Sequence, residues 1–299
     1  MLAGCLIVDS FKAVADLRSW LVLGRVSNLS TVWANGLCAW ILGGGEGSLT
    51  LIGLLAGLSL IYAGGMYLND YFDVHFDEQY RPERPIPSGK VSRTAVLVAT
   101  CGVFASGLII LVWIEPGTLR FGIALLGIIV LYNIVHKHSV IGVPLMAACR
   151  TGVYLIVAMA TPFSLTPTIW GAGILMFFYV MGITALARTE STSLKASAVG
   201  YAFLIIPLIG ALYLAGPPFE RLFPISYCLA ALWMALTFSR ARKSGHLIIG
   251  KTIGPLLAGI CLIDLAILNS MHLVSFSIIG LFLVFFAVAL TAQRFVPAT

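Results

Sequence analysis

Charge is what this sequence has least of. Lys, Arg, Asp and Glu make up 10% of its 299 residues, against about 25% in soluble domains. That scarcity excludes a soluble enzyme, whose surface needs charge. It excludes a disordered chain as well, which is built from charged and polar residues. The alternation of apolar and polar residues that marks a water-filled β-barrel is also missing. Cysteine is sparse: Cys5, Cys38, Cys101, Cys149, Cys228 and Cys261 form no CxxC pair. Most fall in apolar runs and read as small hydrophobes, not as a disulfide framework or a zinc site. What is abundant is apolar, 60% of the chain.

The apolar residues gather into runs at 28–43, 49–69, 94–114, 117–133, 140–161, 168–187, 196–215, 222–238, 253–269 and 273–291. About 20 residues cross a bilayer as a helix. The expectation is an all-α polytopic transmembrane bundle in one domain, residues 25–299, of nine helices plus a tenth. Gly, Pro and charge punctuate the runs, as at Gly43-Gly44-Gly45-Glu46 and Glu115-Pro116-Gly117. Ahead of the first run, Asp9, Lys12 and Asp16 recur at helical spacing opposite Ile7, Phe11, Val14, Leu17 and Leu21. Residues 1–24 therefore read as an amphipathic helix lying on the membrane surface.

The net charge is +6, but it does not point to nucleic acid. If each run crosses once, 15 of the 18 basic residues fall on one side. Arg120 and Arg221 lie opposite, and Arg150 lies within the membrane. The positive-inside rule makes the crowded side cytoplasmic and gives a cytoplasmic N-terminus. The expected location is the bacterial cytoplasmic membrane.

The acids concentrate instead of spreading. Of 12 acidic residues, four lie between 70 and 78, in Asn69-Asp70-Tyr71-Phe72-Asp73-Val74-His75-Phe76-Asp77-Glu78. Asp70, Asp73 and Asp77 share one helical face. Three like charges at the end of an apolar span are costly unless a cation sits among them. Oxygen-only ligands favour Mg²⁺ or Ca²⁺, and Mg²⁺ leaves coordination positions for water and phosphate. The pattern reads as a Mg²⁺–diphosphate site at the cytoplasmic surface, against the plainer alternative of a solvated helix end. Arg81-Pro82-Glu83-Arg84-Pro85-Ile86-Pro87-Ser88-Gly89-Lys90 follows as a non-helical connection. Its basic groups suit phosphate oxygens.

These residues resemble the first signature of the UbiA superfamily of intramembrane prenyltransferases. The resemblance runs over about 17–270 and takes in Arg25-Val26-Ser27-Asn28-Leu29, Asn35, Tyr132 and His136-Lys137. It implies that Asn69, Asp70, Asp73 and Asp77 hold Mg²⁺ and diphosphate. It also implies that Lys137, with Arg81 or Arg84, binds diphosphate oxygens, and that Asn35, Tyr132 and His136 belong to the substrate site. The second signature departs from the family's DxxxD pair. Ala187-Arg188-Thr189-Glu190-Ser191-Thr192-Ser193-Leu194-Lys195 offers one carboxylate, Glu190, for a second metal. Arg188 or Lys195 could supply charge in its place. That run, Met146-Ala147-Ala148-Cys149-Arg150 and Leu262-Ile263-Asp264 are similar to a UbiA-like subgroup, the EboC proteins, associated with handling or export of metabolite precursors.

Arg150 carries two readings. It contacts diphosphate or acceptor inside the bundle, or it forms a structural ion pair with Asp264. Tyr62, Tyr67, Tyr71, Tyr132 and Tyr154 either line a prenyl tunnel or pack as interface anchors. His75 reads as a loop histidine off the acidic face. The expected function is Mg²⁺-dependent transfer of a prenyl group from a prenyl diphosphate to an aromatic or other lipophilic acceptor in the bilayer. A non-catalytic protein that binds an isoprenoid or precursor is the alternative, and a coupled transporter using Arg150 and Asp264 is the third.

Overall fold

The structure is a computed structural model that describes residues 17–137, 139–192, 198–215, 223–242 and 249–296. Residues 1–16, most of the expected surface helix, lie outside it. Residues 17–23 are helical and end at Gly24.

Eleven α-helices follow among the described residues: α1 Leu29–Leu42, α2 Ser48–Tyr80, α3 Arg93–Ile114, α4 Thr118–Val135, α5 Gly142–Ala158, α6 Pro167–Thr192, α7 Ala198–Ala215, α8 Phe223–Arg242, α9 Ile249–Ala258, α10 Ile260–Ser270 and α11 Phe276–Ala292. Each apolar run becomes one helix, except that run nine is divided. The chain is an integral membrane protein. Among the described residues, five stretches are long and apolar enough to cross a bilayer: α2, α3, α4, residues 167–188 of α6, and residues 252–270 across α9 and α10. Shorter apolar helices, α5, α7, α8 and α11, stand beside them.

Exposure sorts the helices. α3 turns Val98, Ile109 and Trp113 outward, Trp113 being 86% exposed. Such a surface suits contact with lipid. α1 and α10 are the inner helices, and every residue of α10 is buried. α2 and α3 pack as an antiparallel pair through Gly57 and Gly107. A Cβ on Gly107 would lie 2.8 Å from the Gly57 carbonyl oxygen. This is the close backbone approach that small residues permit between membrane helices.

The division of run nine at Gly259 differs from the single span the hydropathy suggests. Pro255 lies inside α9, where it cannot donate a backbone hydrogen bond. A Cβ on Gly259 would meet Tyr179 Oη at 2.5 Å. The carbonyls at this bend are engaged by side chains: Tyr179 Oη donates to Leu256 O at 2.9 Å, and Trp233 Nε1 donates to Pro255 O at 2.9 Å. A broken helix in lipid needs such partners, because water is absent.

Two loops orient the ends of the bundle. Gly44 has φ +65° and a Cβ there would lie 2.9 Å from the Phe163 ring. The same glycine turn receives the Phe163 N–H on the Gly43 carbonyl at 3.1 Å, joining the α1–α2 and α5–α6 loops. At the other end, Ser92 caps α3 by accepting from the Ala95 N–H at 3.1 Å. That cap closes the Arg81–Val91 connection and holds it over the end of α2.

Candidate active site

α2 has 33 residues, about 50 Å at 1.5 Å per residue. It therefore outruns a bilayer core of about 30 Å. Its last three turns carry Asn69, Asp70, Asp73 and Asp77 beyond the most apolar stretch. His75 lies on this helix, not on a loop. It is exposed, and its Nδ1 is 3.5 Å from Glu78 Oε2.

Each carboxylate of the shared face has a cationic neighbour. Arg84 Nη1 donates to Asp70 Oδ1 and Asp77 Oδ2, both at 3.1 Å. Arg25 Nη2 donates to Asn69 Oδ1 at 3.0 Å and lies 3.4 Å from Asp70 Oδ1. Lys137 Nζ is 2.7 Å from Asp73 Oδ1, and His136 Nε2 is 3.4 Å from the same oxygen. Asn69 Nδ2 donates to Asn133 Oδ1 at 3.1 Å. Four segments thus meet here: the turn before α1, the end of α2, the Arg81–Val91 connection and the end of α4.

Arg25 reaches the cluster because its backbone is left-handed, φ 42°. That conformation is uncommon for a non-glycine residue and turns the chain into α1. Lys137 lies 4.9 Å over the Phe76 ring. His136 stacks on Tyr132 at 4.9 Å, with Nδ1 3.2 Å from the Tyr132 and Asn133 carbonyl oxygens. Arg188 Nη1 donates to the His136 carbonyl at 2.9 Å and to that of Ser139. It fastens the α4–α5 connection to α6.

Of the two arginines the motif offers, the structure brings Arg84 into the cluster and leaves Arg81 exposed. Asn35 is elsewhere, wholly buried in α1. Glu190 lies on α6, but its side chain is outside the described residues, as is all of Lys195. Arg25 and Asn133 join the site although neither was assigned a role from sequence. Asn133 had a signal: a polar residue in the last turn of an apolar span, four residues before Lys137.

A cavity of about 250 Å³ opens beneath the cluster among α1, α2, α4, α5, α6 and α9. Arg25, Tyr132 and Asn133 line it, with Tyr62, Cys149 and Arg150 also on its wall. Most of the remaining lining is aliphatic.

The donor set suits a hard cation. Asp77 Oδ1 is buried and has no hydrogen-bond partner among the described residues, leaving a lone pair that an oxygen-seeking ion would satisfy. No three His, Cys, Asp or Glu side chains among the described residues converge as a complete cage. The set fits an ion that keeps water and phosphate among its ligands, as Mg²⁺ does.

Comparison with known proteins adds the decisive observation. The profile of the UbiA prenyltransferase family matches residues 28–191, which contain the whole carboxylate face, the connection after it, and Tyr132 to Lys137. The chain belongs to the UbiA prenyltransferase family. The digeranylgeranylglyceryl phosphate synthase of Methanoregula boonei is 35% identical over 115 residues, 38% of this chain and 40% of the relative. The 4-hydroxybenzoate octaprenyltransferase of Pectobacterium carotovorum is 31% identical over 137 residues, 44% of this chain and 47% of the relative. The UbiA-family chain thus spans less than half the length of these two curated relatives. The apo structure of a UbiA homologue from Aeropyrum pernix superposes with a TM-score of 0.67 at 15% identity, over 84% of this chain and 98% of that one. At that identity the match speaks for the UbiA fold.

Proposed function

We propose that this UbiA-family protein transfers a prenyl group from a prenyl diphosphate to a lipophilic acceptor within the membrane. One observation carries the reading: paired carboxylates and cations meet at the mouth of an apolar cavity. The prenyl tail lies in that cavity and the diphosphate lies at the mouth. Arg84, Arg25, His136 and Lys137 are the groups that bind its oxygens. A transferred cation-like carbon needs a pocket closed to water, and helices in lipid supply one.

Asn69, Asp70, Asp73 and Asp77 are the residues that would hold Mg²⁺, and Glu190 would serve a second ion. Mg²⁺ bound there would neutralise charge building on the leaving diphosphate. In the reaction the allylic C–O bond breaks and its electron pair leaves with the diphosphate. The allylic carbon bonds to an electron-rich acceptor atom, which loses a proton. Arg188 acts by positioning: it holds the His136 and Ser139 carbonyls and so sets where His136 and Lys137 stand. Residues 25–299 would form the catalytic domain. The basic residues at the cluster's end of the bundle support a cytoplasmic-facing site.

The test is incubation of purified protein with Mg²⁺, an acceptor panel and prenyl diphosphates of graded length, measuring diphosphate release. Release that stops on chelation and in Asp73→Ala supports the proposal. A fully active Asp73→Ala protein removes the metal site. The single carboxylate of 187–195 favours one second reading, a protein that binds the prenyl diphosphate and does not cleave it. Tight binding without release in every acceptor mixture would select that reading.

A further inference from the structure

α11 lies outside the residues that the UbiA profile matches, yet it reaches the candidate site. It packs on the turn before α1 and on α1, α9 and α10. Aromatic rings fasten it along its length. Phe282 is wholly buried, the Phe285 ring meets Trp33 at 6.1 Å, and the Phe286 ring meets Trp233 at 4.8 Å. Thr291 is exposed and bonds its own helix. Gln293, the residue that ends α11, instead reaches inward.

Gln293 Nε2 donates to Gly254 O on α9 at 3.1 Å and to Asn28 Oδ1 at 3.4 Å. A carboxamide nitrogen carries two N–H donors, and two carbonyl oxygens face this one. The approach to α9 is close: a Cβ on Gly254 would lie 2.9 Å from Gln293 Oε1. Asn28 and two apolar side chains of α9, Ile253 and Leu257, line the cavity. Gln293 therefore spans a seam in the cavity wall, between α9 and the turn before α1.

Asn28 ends the turn that begins at Arg25. The Asn28 N–H donates to the Arg25 carbonyl oxygen at 3.0 Å, and Tyr62 Oη donates to the same oxygen at 3.4 Å. Arg25 is left-handed, and a residue with a Cβ keeps that conformation only where its surroundings enforce it. From it, the guanidinium reaches Asn69 and Asp70. We infer that Gln293 is a positioning residue for the diphosphate site: through Asn28 it holds this turn and so sets Arg25 in the carboxylate cluster. The inference rests on the proposed transferase reading and adds to it a residue from the far end of the chain.

The experiment uses the full-length protein in detergent. The probe is geranylgeranyl S-thiolodiphosphate, which resists cleavage, with Mg²⁺. Gln293→Met keeps the length of the side chain and removes the donor. It should weaken probe binding about fivefold or more, on the scale of a partly lost charge-assisted contact. The backbone amides of residues 26–29 should exchange with deuterium faster, with little change in melting temperature, because the aromatic rings still hold α11. Adding Gln293→Met to Arg25→Gln should weaken binding no further, since Gln293 acts through Arg25. A merely structural role predicts additive losses instead. Gly254→Ala crowds the Gln293 carboxamide from the other side and should give a smaller loss of the same kind, which keeps the test open if Gln293→Met does not fold. Unchanged affinity, unchanged exchange at residues 26–29, or additive losses would each overturn the inference. Failure of the unmodified protein to bind the probe would count against the transferase reading, and the exchange measurement would then judge Gln293 by itself.

Discussion

Two polar regions of this bundle handle charge in opposite ways. At the end of α2, acids and bases touch directly: Arg84 spans Asp70 and Asp77, and Lys137 sits 2.7 Å from Asp73. In the middle of the bundle, Arg150 and Asp264 are kept apart by Asn35. The outer cluster is built from four segments and its Lys137 side chain is 30% exposed, so its pairs can be exchanged for a ligand's charges. The inner network lies among helices in lipid, where an exchange would leave a bare charge at a cost of several kcal/mol. Direct pairing thus stands where a ligand's charges can replace the partners, and a neutral relay stands where they cannot.

The largest expected effect breaks the inner network. Asp264→Ala strands Arg150 without a countercharge and takes the acceptor from the Tyr154 hydroxyl and from Asn35 Nδ2, so it should destabilise by about 3–5 kcal/mol. Thermal unfolding in detergent would read this, and a change below about 1 kcal/mol would dissolve the contrast. The outer cluster should behave differently. Asp77→Asn is expected to reduce diphosphate release by about 10²–10³-fold with little change in melting temperature, because the lost group acts on ligand charge. A fall in stability matching that of Asp264→Ala would show that both regions serve the fold.

Smaller effects sharpen the comparison. Tyr154→Phe removes one hydrogen bond to a buried carboxylate and should cost about 1.5–3 kcal/mol. A cycle of Arg150→Ala with Asp264→Ala should show coupling of about 0.5–3 kcal/mol that shrinks in an Asn35→Ala background. Coupling that survives intact without Asn35 would indicate a direct pair. The smallest effect is expected at the outer surface, where Arg93 lies 4.3 Å over the Tyr71 ring. Arg93→Ala should change stability by about 0.5–1 kcal/mol, as exposed cation–π contacts do.

The helices were legible in the sequence because apolar run length is a direct consequence of bilayer thickness. The carboxylate face was legible because helical spacing alone puts Asp70, Asp73 and Asp77 together. The role of Asn35 was not. A lone asparagine in Trp33-Ala34-Asn35-Gly36 carries no sign of residues 115 and 229 positions away. The choice of Arg84 over Arg81 was equally hidden, since both sit in the same Arg-Pro pattern and only the path of the connection separates them. Signals for the bend at Gly259 were present in Pro255 and Gly259. Hydropathy averages over such residues, and the side chains that receive the bend, Tyr179 and Trp233, come from other helices.

By itself, then, the sequence determined an integral membrane bundle, the acidic face at the end of α2 and the basic connection beside it. These follow from local periodicity and from the scarcity of charge. Tertiary structure alone decided which cation meets which acid, that Asn35 separates Arg150 from Asp264, and that Arg150 faces a cavity. Such facts depend on contacts between helices distant in the chain, and no local pattern encodes them.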